Sequence, residues 1–513
     1  MHKYLKLNFQ TTILAAIAIT LYWFLPLSDS DYFWHLKTGE LIYNSHSILS
    51  TDPFSFTMQG EKWVLHEWLF QLLLYITHNI LGENGLRGLI VFTIGATLYF
   101  SRSATVVREQ NRNISLILAL WVLLTFFPFM TPRPQIASYL LFSYYLYAIN
   151  LAITTKQTKY LLPLPFVMVL WVNLHGGYII GITLLSLFTA ISWLNDKQNT
   201  SHDKPTNITK HLALITLFTL FASAINPDFI HHWKYPFYVL SMKATSKIGE
   251  WHSPNFKQAY AYSFLLLSML FMFLSAYTKA RPSIEKLIIP LFFVMAAFIS
   301  ARNIPFALIT IVTFFPKPDE IDTKSFGFIR DIYGAWKRKY TALVSTGSNI
   351  GQMEYVTNWI ILISLALAIP LANLKINNLQ DTYPHQAVDY FIEKELHGNI
   401  LNEYGDGGYL IYRLHPSSRV FIDGRADMYG DKLFSEYIKL MQGTAEWESI
   451  FNNHEIDYII CENDTPIRQL LLQSDNFKTL YADDHYSVIK NLQQNHGRTQ
   501  EIEKEIVPVS DNK

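Results

Sequence analysis

The stretch SDSDYFWHLKTGE, residues 28–40, places Asp29 and Asp31 one residue apart just after the first apolar run of the chain. In an extended segment, residues two apart share a face, so both carboxylates can point at one ligand. One chemistry that follows is binding of a divalent cation through oxygen, with Mg2+ or Mn2+ as the ion and Asp29 and Asp31 as ligands. Another is general base catalysis by one of the two, its proton affinity raised by low dielectric and a like-charged neighbour. The plain alternative is a solvated loop whose acids favour a helix N-terminus. On the doublet alone it stands level with the other two.

Further candidates lie between the apolar runs. Glu67 opens HEWLFQLLLYITHNILG, residues 66–82, beside His66 and Trp68. Glu67, Gln71, Tyr75 and His78 recur on one helical face, and Leu69, Leu72, Leu73, Ile76 and Ile80 on the other, the pattern of a helix lying in a membrane interface. Glu67 either faces the same pocket as Asp31 or only marks the helix start. Arg133 in TPRPQ and Arg302 in SARN sit between apolar runs. Their forked donors suit a phosphate, whereas a snorkelling arginine needs no ligand. His175 in NLHGGY precedes two glycines that allow a tight turn and close approach of a ligand; a simple turn histidine is the alternative. His35, His66, His231, His232 and His252 fall in the same class of loops, but their spacing matches no zinc signature. Trp34, Trp63 and Trp68 suit a membrane interface without any catalytic role.

The elements that must position these groups follow from composition. Half of the residues are hydrophobic and only 16% are charged, against about 25% in soluble proteins. Lys+Arg and Asp+Glu are both 41, which argues against a nucleic-acid partner. A single cysteine, Cys461, excludes an intramolecular disulfide and a cysteine-based zinc site. Apolar runs near the ~20 residues needed to cross a bilayer recur from 8–27 to 354–373. They predict a polytopic α-helical membrane protein with about eleven transmembrane helices. The first run contains Ala16-Ile17-Ala18, a small-x-small pattern, but inside a run too long for a signal core, so it is read as an uncleaved span.

The predicted domains are 1–373, a transmembrane domain, and 374–490, a soluble α/β domain, with 491–513 as a polar, flexible tail. Within the first, 28–85 is an outer loop with the interfacial helix and 317–353 a cytoplasmic loop. Lys and Arg favour the cytoplasmic side. With the N-terminus inside, Lys3, Lys6, Arg102, Arg108, Arg112, Lys156, Lys159 and Lys286 are cytoplasmic. The motif-like stretches and the terminal domain are then extracytoplasmic. In that domain NILNEY, RVFID, DYIIC and YSVIK read as strands, with helices at KLFSEYIKLMQG and TPIRQLLLQS. Asp406, Asp423, Arg425 and Asp427 cluster among glycines and tyrosines, as a polar ligand surface or as turn chemistry. No phosphate-binding loop, dinucleotide fingerprint or nucleophile elbow is present.

The order of a first span, an outer loop opening on an acidic motif, a flat amphipathic helix and a second span led by an arginine resembles the GT-C class of membrane glycosyltransferases. That class includes protein O-mannosyltransferases and the enzymes that add aminoarabinose to lipid A. The matching residues are Asp31, with Asp29, then Glu67, and Arg87 in GLRGLIVF. EYGDGGYLIY followed by FIDGR is similar to the Trp-Trp-Asp-Tyr-Gly region of oligosaccharyltransferase catalytic subunits, without the tryptophans; that motif contacts acceptor peptide there. The resemblance implies a GT-C-like fold and transfer of a sugar from a polyprenyl-phosphate-linked donor to a glycan, lipid or protein acceptor. The place implied is the extracytoplasmic face of a bacterial inner membrane, among membrane lipids. Asp31, Asp29 and Glu67 would be catalytic, and His35, His66, Arg87, Arg133, His175 and Arg302 would bind substrate. The competing expectation is a non-enzymatic protein that binds or transports a lipid-linked glycan.

Overall fold

The structure is a computed structural model; it describes residues 20, 27, 29–110, 112–198, 207–322 and 383–493. The expected spans near 8–27 and 354–373, most of the 317–353 loop and the tail beyond 493 lie outside the described residues. The chain divides into two compact units. The described helices before residue 323 are α1 (Asp31–Ser45), α2 (Trp68–Val107), α3 (Arg112–Phe126), α4 (Gln135–Thr155), α5 (Leu164–Leu174), α6 (Tyr178–Gln198), α7 (Asn207–Ala222), α8 (Tyr235–Ser241), α9 (Ala259–Ala276), α10 (Ile284–Ile299) and α11 (Ile304–Phe314). All but α1 belong to the first unit.

This first unit is helical because its sequence is apolar over whole turns and its polar residues collect at the ends. Trp68–Val107, Gln135–Thr155, Tyr178–Lys197 and Ala259–Ala276 are long and apolar enough to cross a membrane by length and composition. The 21 residues of α4 rise about 31 Å, close to a hydrocarbon core. The count of about eleven crossings goes beyond these four helices. Within α2, Gly82 has φ 62° and ψ −154° and interrupts the helix, a left-handed φ that favours glycine. The break separates the segment expected to lie flat from the span expected near 86–105. Pro134 at the start of α4 and Pro305 in the first turn of α11 sit where a proline costs no helical hydrogen bond. At the ends of α2, α10 and α11 away from Glu67 and Arg302, Arg108 meets Glu285 at 3.7 Å, Lys286 meets Glu320 at 2.8 Å and Lys317 meets Glu109 at 3.3 Å.

The second unit comprises, among the described residues, 29–65, 242–244 and 383–493. Its strands are β1 (Gly398–Asn402), β2 (Ser418–Val420), β3 (Tyr458–Glu462), β4 (Phe477–Ala482) and β5 (Tyr486–Asn491). They form one sheet in the order β2-β1-β3-β5-β4. The β1 strand runs parallel to β2 and β3, while β5 is antiparallel to β3 and β4. Ile400, Val420, Ile459, Ile460, Val488 and Ile489 fill the core. Helices α12 (His385–Glu393), α13 (Gly407–Leu414), α14 (Ala426–Met441), α15 (Trp447–Asn452) and α16 (Pro466–Leu471) complete the unit.

Residues 29–65, expected as an outer loop of the membrane part, are built into this α/β unit. Phe33 of α1 packs its ring against Tyr383, Tyr409 and Tyr412, 5.1–5.6 Å away. Ser55 bridges Val420 as a short parallel rung beside β2, with Val420 N–H donating to Phe54 O and Phe56 N–H to Val420 O. Burial of Phe33, Trp34, Phe54 and Trp63 is what ties the segment down. Its partners lie more than 300 residues away in sequence.

Candidate functional site

In the helical unit the polar groups sit on the turns between helices. Arg133 lies in the turn after α3, and Pro134 caps the start of α4 at Gln135. Ser300 adopts extended torsions, which separates α10 from the short turn Ala301–Asn303 that carries Arg302. Between α8 and α9 the turn Gly249–Trp251 carries Glu250. Ser300 Oγ donates to Glu250 O and Ala301 N–H donates to His252 O, so the two turns are pinned through their backbones.

This arrangement brings both arginines to one carboxylate. Arg133 approaches Glu250 with both terminal nitrogens at 3.3 Å, one to each oxygen. Arg302 reaches the same carboxylate at 3.0 Å, and its guanidinium stacks over Trp251 at 4.5 Å. Burial alone would raise the Glu250 carboxyl, but Arg133 and Arg302 outweigh it and hold it down to about 2.

A second group surrounds Glu67, which precedes the first residue of α2. Trp68 Nε1 donates to Asn173 Oδ1 at 2.8 Å, fixing the start of that helix against the end of α5. Glu67 lies 3.4 Å from His66 Nε2 and 3.7 Å from His175 Nε2. Gly177 N–H donates to His175 Nδ1 at 3.1 Å and Ser138 Oγ lies 2.7 Å from the same atom. Nδ1 is therefore the acceptor, and a neutral His175 carries its proton on Nε2, toward Glu67. Burial pushes His175 down to about 3, with His66, Arg302 and Arg133 adding and Glu67 opposing. A methyl at Gly177 would stand 2.7 Å from both His175 Nδ1 and Ser138 Oγ, so the second glycine of the turn exists for this contact.

His232 completes the cluster. It is buried, stacks between Tyr178 and Tyr235 and lies 6.0 Å from the His66 ring. Neither of its ring nitrogens has a hydrogen-bond partner among the described residues. Burial, with His66, lowers it to about 3. Sequence placed His232 only among loop histidines and singled out neither it nor Glu250. An acidic residue flanked in space by Arg133 and Arg302 leaves no spacing signal, since the three lie on separate turns. Arg87 pairs along its own helix with Glu83 at 3.5 Å and with Asn84 at 3.3 Å.

In the α/β unit, Asp31 is the first residue of α1 and Asp29 Oδ1 accepts its N–H at 2.9 Å. Ser30 has helical torsions (φ −62°, ψ −30°), so the extended alternation expected for the doublet does not hold. Asp29 is turned back onto the backbone instead. Among the described residues no group of three or more His, Cys, Asp or Glu is placed to hold a metal ion. A pair of carboxylates is still enough for an Mg2+ ion that takes its remaining ligands from water and a substrate phosphate. His35 is buried on α1, its ring 3.6 Å from that of Trp34.

The Asp31 carboxylate fills the space where Gly424 would carry a side chain, with Trp34 Nε1 3.3 Å from the same point. Gly408 likewise leaves room for Ser30 O and Trp34. The glycines of GDGG and IDGR thus seat the start of α1. Asp423 and Arg425, expected on a ligand surface or in a turn, are interior residues. Arg425 donates to Asp423 at 2.6 and 2.8 Å and to Asp52 at 2.8 Å. Tyr429 O–H donates to Asp423, and Trp63 and Phe54 cover the guanidinium at 4.5 and 5.2 Å. Asp406 is also buried; burial, with Glu403 nearby, pushes its carboxyl up to about 8.

No protein-family model matches the chain, and no curated protein sequence matches it. Solved structures do. The oligosaccharyltransferase of Archaeoglobus fulgidus in its apo form aligns with a TM-score of 0.56 at 13% identity, over 90% of this chain and 70% of that one. The A. fulgidus oligosaccharyltransferase AglB, in complex with an inhibitory peptide and a dolichol-phosphate, gives 0.57 at 12% identity, over 88% and 69%. ArnT from Cupriavidus metallidurans, bound to undecaprenyl phosphate, gives 0.46 at 11% identity, over 94% and 98%. At such identities the likeness is one of fold: this chain has a GT-C-like fold, shared with the A. fulgidus oligosaccharyltransferase.

Proposed function

We propose that the protein is a membrane glycosyltransferase that moves a sugar from a polyprenyl-phosphate-linked donor to an acceptor at the extracytoplasmic face of a bacterial inner membrane. The observation that carries this reading is the convergence of Arg133 and Arg302 on one anionic group at the helix ends. It is supported by the fold shared with AglB, whose structure holds a dolichol-phosphate. About eleven crossings and an extracytoplasmic α/β unit complete the picture.

Asp31 removes the proton of an acceptor hydroxyl, whose oxygen attacks the anomeric carbon of the donor sugar. The bond from that carbon to the phosphate oxygen breaks, and its electron pair leaves with the polyprenyl phosphate. Arg133 and Arg302 meet the charge that develops on the phosphate, and the Nε2–H of His175, oriented by Glu67, is a further donor. Asp29 holds the backbone of Asp31. His66 and Arg87 contact the substrates, and the acceptor is a glycan, lipid or protein. Asp29 and Asp31 would hold an Mg2+ or Mn2+ ion, which would supply positive charge at the donor phosphate.

The test is Asp31→Asn in membranes supplied with a lipid-linked sugar. Transfer should fall by about 10²–10⁴ with donor binding retained; full retained transfer excludes Asp31 as the base. The lipid-linked intermediate that accumulates on deletion of the protein identifies the donor.

A further inference from the structure

Arg133 and Arg302 are expected to hold a phosphate, yet each already holds Glu250. Two guanidiniums brought to one point repel each other unless an anion lies between them. Glu250 supplies that anion from within the chain. Its two oxygens receive three arginine nitrogens at 3.0–3.3 Å, the pattern that two oxygens of a phosphate would satisfy.

We propose that Glu250 is a built-in stand-in for the donor phosphate. Its carboxylate keeps Arg133 and Arg302 converged before substrate arrives, is displaced when the phosphate of the lipid-linked sugar binds, and returns to expel the spent carrier. This rests on the phosphate reading of the two arginines given above.

Three observations support it. The side chain of Glu250 is 33% exposed and that of Arg302 29%, so a ligand can reach the pair. The backbone of the Glu250 turn is pinned to the Arg302 turn, so displacement needs only side-chain rotation about a fixed Cα. The carboxyl, held down to about 2, is ionised at any working pH, so it competes as a full negative charge. The donor phosphodiester carries one negative charge. The released phosphate monoester carries up to two, since its second pKa is about 6, and would be held too tightly without a competitor. A competing internal anion raises the apparent dissociation constant to the intrinsic one divided by the fraction of time the site is free.

The experiment measures binding of farnesyl phosphate, farnesol and inorganic phosphate to the full-length protein in detergent, for wild type, Glu250→Gln, Arg133→Ala and Arg302→Ala. Glu250→Gln should bind farnesyl phosphate about tenfold more tightly, leave farnesol unchanged and slow turnover under saturating donor. The farnesol and inorganic phosphate arms separate the lipid chain from the phosphate. If Glu250→Gln binds farnesyl phosphate no better than wild type while the arginine variants lose it, the stand-in role is overturned and the phosphate site survives. If neither arginine affects farnesyl phosphate binding, the phosphate reading itself fails. Should Glu250→Gln not fold, Glu250→Asp, which keeps the charge but shortens its reach, must show the same tightening.

Discussion

Arg425 in the α/β unit and the pair Arg133 and Arg302 in the helical unit both meet carboxylates, but in opposite stoichiometry. Arg425 stands between Asp52 and Asp423 with side-chain exposures of 2%, 0% and 0%. Arg133 and Arg302 share one Glu250 and remain 17% and 29% exposed. In the first cluster the cation is outnumbered, dry and roofed by aromatic rings. The two aspartates hold Arg425 well above its usual range against the opposing pull of burial. Each of its three side-chain nitrogens donates to an aspartate inside the protein, and the cluster fastens residues 52–63 to the segment that follows β2. In the second cluster two arginines share one carboxylate and all three side chains stay partly exposed. The lesson is that an arginine beside a carboxylate says little until exposure and charge balance are counted.

Swapping the charge in each cluster breaks or sharpens this contrast. Arg425→Met leaves two buried aspartates without a counter-ion and should destabilise the α/β unit by about 3–5 kcal/mol, read as a fall in thermal unfolding temperature in detergent. Arg302→Met should change stability by only about 0.5 kcal/mol yet raise the donor KM. A stable Arg425→Met, or an Arg302→Met that unfolds, would reverse the assignment of the two clusters. Next in size, Gly424→Ala adds a methyl where the Asp31 carboxylate lies. It should lower kcat by up to about 10²-fold through displacement of Asp31, with donor KM and unfolding temperature little changed; unaltered kcat removes the case for Gly424 as a positioning residue.

A pH-dependent effect concerns Asp406, which is buried without the arginine that serves Asp423. Its carboxyl titrates at about 8 in the folded protein, against 3.8 ordinarily. Between those values the folded state keeps a proton that the unfolded state has lost, so stability falls as pH rises through this window. Asp406→Asn should flatten that fall, with its largest relative stabilisation near pH 8 and none near pH 3. Parallel pH profiles of unfolding temperature for the two proteins would contradict it.

Much of the sheet was legible because its inner strands are short apolar runs buried over most of their length. NILNEY, RVFID, DYIIC and YSVIK coincide with β1, β2, β3 and β5. The β4 strand escaped because Phe477–Ala482 lies at the sheet edge with no buried residue in it, so no buried apolar run marks it. The α13 helix was hidden by Gly407-Gly408, which read as a turn. Only the buried side of Tyr409, Leu410 and Leu414 makes it helical.

By itself the sequence determined that the chain alternates apolar helices with polar turns, and that Asp31, Glu67, Arg133, His175 and Arg302 lie on those turns or at their edges. Helical periodicity and charge depend on neighbours a few residues apart, so they are written locally. Tertiary structure alone decided that Glu250 joins the two arginines, that His232 stacks beside His66, and that residues 29–65 fold with the α/β unit. Each of these joins groups separated by tens to hundreds of residues. Contacts of that kind arise from burying aromatic surface and balancing charge in three dimensions, and no spacing along the chain encodes them.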